Sequence, residues 1–226
     1  ETAKRGILMI AHHSSIWDTR ACEQHPEWCV IQKDGTPDPN IMEPNSAYVD
    51  QKLIPQLKEL AGKYGFDGAW LDGDTWGVKE SFRPEIVEQF LKETGFPCLE
   101  DDCSSPSRQA FRQFWCDRYM AYMHHLIREV KADYPNFEIT ISFAFSTLMP
   151  MKPISEMDFL SGDVAALSDM RAVSRGFVHQ GKPWDVMSWA APDFAPGPDG
   201  GNVGIAQKNL TRLCREASQV ISQGGG

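Results

Sequence analysis

The sequence predicts an α/β fold: a TIM-like (β/α)8 barrel, incomplete in this chain at about five βα units. Three observations lead there. Short apolar runs alternate with amphipathic helical stretches, the pattern of parallel βαβ units. The first run, Gly6 to Ala11, is followed by His12-His13-Ser14-Ser15 and not by the glycine-rich phosphate loop of a nucleotide-binding sheet. Carboxylates, imidazoles and indoles cluster where the runs end, and in a barrel the C-terminal strand ends carry the chemistry.

The elements follow in order. Gly6 to Ala11 reads as a buried strand. Asn45-Ser46 caps a helix with Val49, Leu53, Leu57, Leu60 and Tyr64 on one face, closed by Gly65 and kinked at Pro55. Gly68 to Asp72 is the next strand, and Pro84 opens a helix that ends at Gly95. Ser105-Pro106 starts the longest helix, whose stripe is Phe111, Phe114, Trp115, Tyr119, Tyr122, Met123, Leu126 and Val130; Pro135 ends it. Glu138 to Phe145 and Asp158 to Gly162 are strands. Ser168 caps a helix through Met170, Val173 and Phe177, Asp185 to Trp189 is a strand, and a last helix runs through Ala206, Leu210, Leu213, Ala217 and Val220. A full barrel has eight strands in roughly 250 residues. Residues 1–226 are therefore expected to form one catalytic-type barrel domain of a longer protein, with units missing at both ends.

Composition narrows the function. Hydrophobic residues are 42% and charged residues 23%, as in a globular domain. The net charge of −9, without a Lys/Arg cluster, argues against nucleic-acid binding. The most apolar stretch, Ile139 to Met151, is broken by Thr140, Ser142, Ser146, Thr147 and Pro150, so no membrane span is expected. The cysteines Cys22, Cys29, Cys98, Cys103, Cys116 and Cys214 read as unpaired thiols; a local disulfide, Cys98 to Cys103 or Cys22 to Cys29, is the alternative. Nothing in the sequence indicates a compartment.

The strand ends then supply candidates. Trp70 and Asp72 alternate with Ala69 and Leu71, so the indole and the carboxylate share the face toward the barrel axis. A carboxylate at a strand end, beside Trp70 and before Gly73, suits a nucleophile. Asp74 and Trp76 follow in the same loop, and Asp74 also suits an ordinary turn. His12 and His13 end the first strand and lead to Trp17; adjacent strand residues point oppositely, so at most one imidazole enters the barrel unless the strand has already ended, and one buried structural and one surface histidine is the alternative. Asp163, after a short strand, is the candidate second carboxylate, while Asp169 reads as a residue of a helix's first turn. Ser142, Ser146 and Thr147, at the end of the Glu138 strand, offer at most substrate shaping. Trp189 closes another strand. Trp17, Trp70, Trp76 and Trp189, four of seven tryptophans, fall at strand ends and suggest a cleft for sugar rings. A zinc site from the two histidines with Asp18 or Asp72 lacks His-x-His or His-Glu-x-x-His spacing, and no metal or organic cofactor is expected. His124 and His125 read as structural or solvated, and the sequon Asn209-Leu210-Thr211 lies in a helix.

These residues resemble the retaining α-L-fucosidases of glycoside hydrolase family 29. Ala11-His12-His13 resembles that family's sugar-binding His-His pair. Trp70-Leu71-Asp72-Gly73 resembles its Trp-x-Asp-Gly at the end of the fourth strand, which holds the nucleophile. His25-Pro26-Glu27-Trp28, Asn45-Ser46-Ala47-Tyr48, Leu53-Ile54-Pro55-Gln56-Leu57 and Asp67-Gly68 are similar to a group of hypothetical glycosyl hydrolase barrels related to the family 151 fucosidases. The likeness covers roughly residues 6 to 80. The Lys and Asp that flank the His pair in family 29 are replaced by Ala11 and Ser14. The resemblance implies an exo-glycosidase acting on an oligosaccharide or glycoconjugate, with Asp72 as nucleophile and Asp163 as acid/base. It also implies sugar contacts from His12 and His13; Trp17, Trp70, Asp74, Trp76 and Trp189 are expected to join them from their places at the strand ends. An oligomer formed through other parts of the parent chain is compatible with it. The alternatives are another specificity (an α-galactosidase or sialidase) and a sugar-binding barrel without catalysis; the absence of any Glu at a predicted strand end favours the latter.

Overall fold

The computed structural model describes residues 3–72, 79–141, 156–164, 166–189, 194–196, 202–205 and 207–226. They fall into two compact units, Glu1–Phe137 and Glu138–Gly226.

In the first unit, β1 is Ile10–His13, four residues later than the apolar run begins. Ile7, Leu8 and Met9 are exposed, and the Met9 amide is held by the Asp67 carboxylate at 2.7 Å. Asp18 caps α1, Thr19–Gln24, by accepting the Ala21 amide. A hairpin follows, β2 (Cys29–Ile31) antiparallel to β3 (Pro37–Met42). Sequence periodicity does not announce it, because Pro37 and Pro39 speak against a strand; a two-stranded ribbon tolerates prolines at its edge. Buried Asp38 accepts the Asn40 and Ile41 amides and substitutes for the missing ladder bonds.

The kink expected at Pro55 takes the form of a π-helical turn, Val49–Leu53, ahead of α2, Ile54–Gly62. Pro55 has no amide to give, and the Ile54 amide bonds five residues back to Val49. Gly62 ends α2 against Tyr134, where a Cβ would lie 2.2 Å from the phenol oxygen. The strand β4, Gly68–Leu71, is wholly buried and parallel to β1, pairing Ile10 with Gly68 and His12 with Trp70.

The helix α3, Pro84–Thr94, stops at Gly95 in the left-handed region (φ 76°), as Gly95 foretold. The longest helix, α4, runs Pro106–Asp133 with Ser105 as its cap, and its expected stripe is buried apart from the partly buried Phe114. Ile86, Phe90, Phe111 and Trp115 form a closed aromatic cluster, with Phe90 and Phe111 edge-to-face at 5.0 Å.

In the second unit, β5 is Glu138–Ile141; residues 142–145 of the expected strand lie outside the described residues, with Ser142, Ser146 and Thr147. The Asp158 strand is displaced to β6, Asp163–Val164, and the Asp185 strand shortens to β7, Met187–Ser188. Their parallel ladder continues beyond the named residues. The amides of Asp185, Met187 and Trp189 bond to the carbonyls of Leu160, Gly162 and Val164. Between them lies α5, Leu167–Phe177, whose N-cap is Ala166 and not Ser168, with Asp169 in its first turn. A second hairpin, β8 (Phe194–Pro196) and β9 (Asn202–Ile205), precedes α6, Leu210–Ile221. Asn209 caps α6 with its side chain. The protein is thus a mixed α/β fold with parallel strand pairs, β1–β4 and β6–β7, and the described strands do not close a barrel.

A buried ionic knot ties α6 to β7. Glu216 and Lys208 have side chains 0% exposed and lie 2.8 Å apart. Arg212 Nε and the Ser188 hydroxyl also donate to Glu216. Burial alone would raise the Glu216 pKa; the bonds from Lys208, Ser188 and Arg212 outweigh it and hold the carboxyl below its ordinary value. This contribution to stability is therefore full above the unfolded pKa near 4.5 and disappears as pH falls through the folded value. Glu216→Gln leaves Lys208 buried without its counter-charge and is expected to cost about 3–5 kcal/mol at neutral pH. Urea denaturation should show that loss at pH 7 and a smaller one at pH 3.5.

Candidate active site

The β1–β4 register assembles the first cluster. Ile10 and His12 lie on the same face as Gly68, Trp70 and Asp72, while Ala11 and His13 lie with Ala69 and Leu71 on the other. The Asp72 amide extends the ladder by one bond, 2.8 Å to the His13 carbonyl, which fixes where the carboxylate leaves the strand. His12 stacks on Trp70 (5.1 Å between centroids, 19° between planes), and its Nε2 donates to Asp72 Oδ2 at 3.1 Å. Trp70 is buried at 7% exposure, Asp72 half-buried with its side chain 34% exposed, and the His12 side chain open at 61%. The arrangement is a carboxylate accessible to solvent at a C-terminal strand end, oriented by an imidazole that an indole supports from below. Trp70 Nε1 is buried and makes no hydrogen bond.

His13 turns the other way. Its Nδ1 accepts the Ser15 amide at 2.9 Å, so the neutral ring carries its proton on Nε2. Burial lowers the His13 pKa, and Gln56, Asp18 and His12 modify that shift. Ser15 has φ 51°, a left-handed conformation costly for a residue with a side chain. Three contacts hold it there. Tyr122 Oη meets the Ser15 hydroxyl at 2.9 Å, the Tyr48 hydroxyl lies 2.9 Å from the Ser15 carbonyl, and the His13 ring takes the amide. Tyr48 Oη also lies 3.2 Å from Asp18 Oδ2, which Lys52 approaches to 3.4 Å. Burial would raise the Asp18 pKa; the Ala21 amide, Lys52 and Tyr48 reverse that and leave it lowered. Trp17 follows this turn, bridged to Ile41 and 43% exposed.

Downstream of Asp72, Asp74 and Trp76 lie outside the described residues. The chain after them is clamped. Lys79 pairs with buried Asp38 at 3.1 Å, Glu80 with buried Arg108, and Arg83 with buried Glu43 at 3.2 Å. The Phe82 amide bonds to the Ile31 carbonyl.

In the second unit, Ser161, Asp163, Asp185, Met187 and Trp189 share one face of the β6–β7 ladder by alternation. Trp189 Nε1 donates to Asp163 Oδ2 at 2.8 Å. The Ser161 hydroxyl donates to Asp185, whose pKa burial raises. Sequence reasoning did not single out Asp185. Its spacing from Met187 and Trp189 in one strand was the available signal. The Ser15 support was also missed, because its partners Tyr48 and Tyr122 are 33 and 107 residues away. Elsewhere, His125 pairs with Asp50 at 2.6 Å on the surface, and all six cysteines are free. Among the described residues no group of three or more His, Cys, Asp or Glu could hold a metal ion. No described helix is long and apolar enough to cross a membrane.

The fold is similar to parts of two larger solved structures. It is similar to α-L-fucosidase isoenzyme 2 from Paenibacillus thiaminolyticus (TM-score 0.64, 16% identity, covering 89% of this chain and 31% of that one). It is also similar to a β-galactosidase from Rahnella sp. R3 (TM-score 0.67, 17% identity, 99% and 40%). The chain thus spans less than half the length of either. The sequence matches no protein-family model and no curated protein.

The lowered His13 pKa carries a sign. The unfolded chain binds this proton more tightly, so His13 contributes fully above its ordinary value of 6.5, and that stability is lost as pH falls toward and through the folded pKa. His13→Asn keeps an acceptor for the Ser15 amide without a titrating ring. Melting temperatures between pH 7 and pH 5 should fall in the wild type and stay flatter in the variant.

Proposed function

We propose that the protein is a retaining exo-glycoside hydrolase with α-L-fucosidase-like chemistry. The observation that carries this reading is the His12–Asp72–Trp70 arrangement, on a fold similar to a fucosidase. Asp72 attacks the anomeric carbon as the bond to the leaving oxygen breaks, and Asp163 protonates that oxygen. Asp163 then takes a proton from the water that displaces Asp72 from the glycosyl-enzyme. His12 fixes one Asp72 oxygen and offers its exposed edge to sugar hydroxyls. Trp17, with Asp74 and Trp76, borders the sugar, and His13 acts from behind by holding the Ser15 turn. The substrate class is an oligosaccharide or glycoconjugate.

The likeness to a β-galactosidase favours a second reading, a glycosidase of other specificity, because one fold serves many sugars. Hydrolysis of a panel of aryl glycosides by the full-length parent protein separates the two. Under the first reading the α-L-fucoside is cleaved with retention, seen as the anomer first formed in proton NMR. Asp72→Asn is expected to lower kcat at least about a hundredfold with the melting temperature unchanged. A variant that keeps a tenth of wild-type turnover overturns Asp72 as nucleophile. Cleavage of a different glycoside, lost in the same variant, keeps the mechanism and replaces the sugar.

A further inference from the structure

After β1 the chain makes one turn that joins two ladders. On its N-terminal side β1 is paired with β4 and carries His12 beside Asp72. On its C-terminal side Ile16 to Asp18 runs antiparallel to β3. The Met42 amide bonds to the Ile16 carbonyl at 2.9 Å, the Asp18 amide to the Asn40 carbonyl at 3.0 Å, and Trp17 is bridged to Ile41. Each ladder fixes its own residues. The pose of Trp17 relative to His12 is left to the turn between them, which the Trp17 amide closes on the Ser14 carbonyl at 2.9 Å.

Ser15 is the second residue of that turn, with φ 51°. Turns with a positive φ at this position favour glycine, asparagine or aspartate, because other side chains crowd the backbone there. A serine persists only where its surroundings over-determine it. Tyr48 and His13 hold the Ser15 carbonyl and amide, bonds that any residue at this position could make. The third contact needs the serine itself. Its buried hydroxyl meets Tyr122 Oη at 2.9 Å. Tyr122 is 2% exposed in α4, beside Tyr119, so this bond ties the turn to the longest helix. The side chain that makes the conformation costly is thus also the one that anchors it.

We propose that Tyr122 is a positioning residue for Trp17: its hydroxyl holds Ser15 in the left-handed turn and so sets the indole beside the strand end that carries His12 and Asp72. This rests on the reading of Trp17 as a sugar contact in a glycoside hydrolase. Trp17 is 43% exposed and able to meet a ligand. Without the Tyr122 bond less keeps Ser15 out of the ordinary backbone region, and the angle between the two ladders changes. An indole that borders the sugar serves ground state and transition state alike, so the loss falls on binding and not on the chemical step.

Tyr122→Phe keeps the ring and removes the hydroxyl. In the full-length parent, KM is expected to rise about fivefold with kcat within about twofold. In a Trp17→Ala background the same change should move KM by less than about twofold, because its route to the sugar is gone. An equal effect in both backgrounds, a fall in kcat alone, or unchanged kinetics overturns the proposal. Ser15→Gly and Ser15→Ala both lose the hydroxyl, but glycine carries no penalty at positive φ and should melt higher. Both should nevertheless show the raised KM. A KM that returns to the wild-type value in the more stable Ser15→Gly means a structural role only and overturns the positioning. A further measurement needs no turnover. The Trp17 indole N–H resonance, assigned by its loss in Trp17→Ala, should shift in Tyr122→Phe, and an unmoved signal overturns the proposal. If the signal shifts but no glycoside is cleaved, the hydrolase reading has failed while the positioning of Trp17 stands.

Discussion

The parallel register of β1 with β4 is the constraint on which the first cluster depends. Pairing His12 with Trp70 puts imidazole, indole and the Asp72 carboxylate on one face. A shift of β1 by one residue would exchange His12 for Ala11 or His13 beside Trp70 and carry the hydrogen bond to Asp72 away with it. Several features beyond the strands defend this register. Met9 is tied to Asp67 on one side and Asp72 to the His13 carbonyl on the other. Beyond β1 the chain turns at once through the strained Ser15, held by two tyrosines from distant elements. The strain is local, and the elements that offset it are the packed helices.

Buried charge is used in a consistent way. Asp38, Glu43 and Arg108 each meet a partner from the five residues Lys79 to Arg83. Such pairs add little net stability over apolar side chains of similar volume, because desolvation consumes most of the attraction. They do penalise every misaligned alternative, since an unpaired buried charge is costly. The chain that leaves Asp72 therefore returns to the hairpin in one register. The Lys208–Glu216–Arg212 knot does the same for α6 against β7 in the second unit.

Legibility in the sequence followed the range of the forces. The helices α3 and α4 were readable almost to the residue, since Pro84, Gly95, Ser105 and the apolar stripe are local signals. The Pro55 disturbance was readable as a kink, and its resolution into a π turn was not. The hairpin of β2 and β3 was invisible because its Pro-rich strand is held by a side chain, Asp38, that replaces ladder bonds. The strands β1, β6 and β7 were found but displaced by two to five residues, because pairing partners and not apolar content decide where a strand begins.

The sequence by itself determined the α/β alternation, the limits of α3 and α4, the net acidic charge, and the sharing of one strand face by Trp70 and Asp72, because periodicity and capping act over a few residues. Tertiary structure alone decided which histidine joins that face, that His13 and two tyrosines support the turn behind it, and that Trp189 bonds Asp163. Each of these contacts joins residues whose approach is set by strand register or by helices packed around the strands. Register and packing are properties of the assembled chain, not of any segment within it.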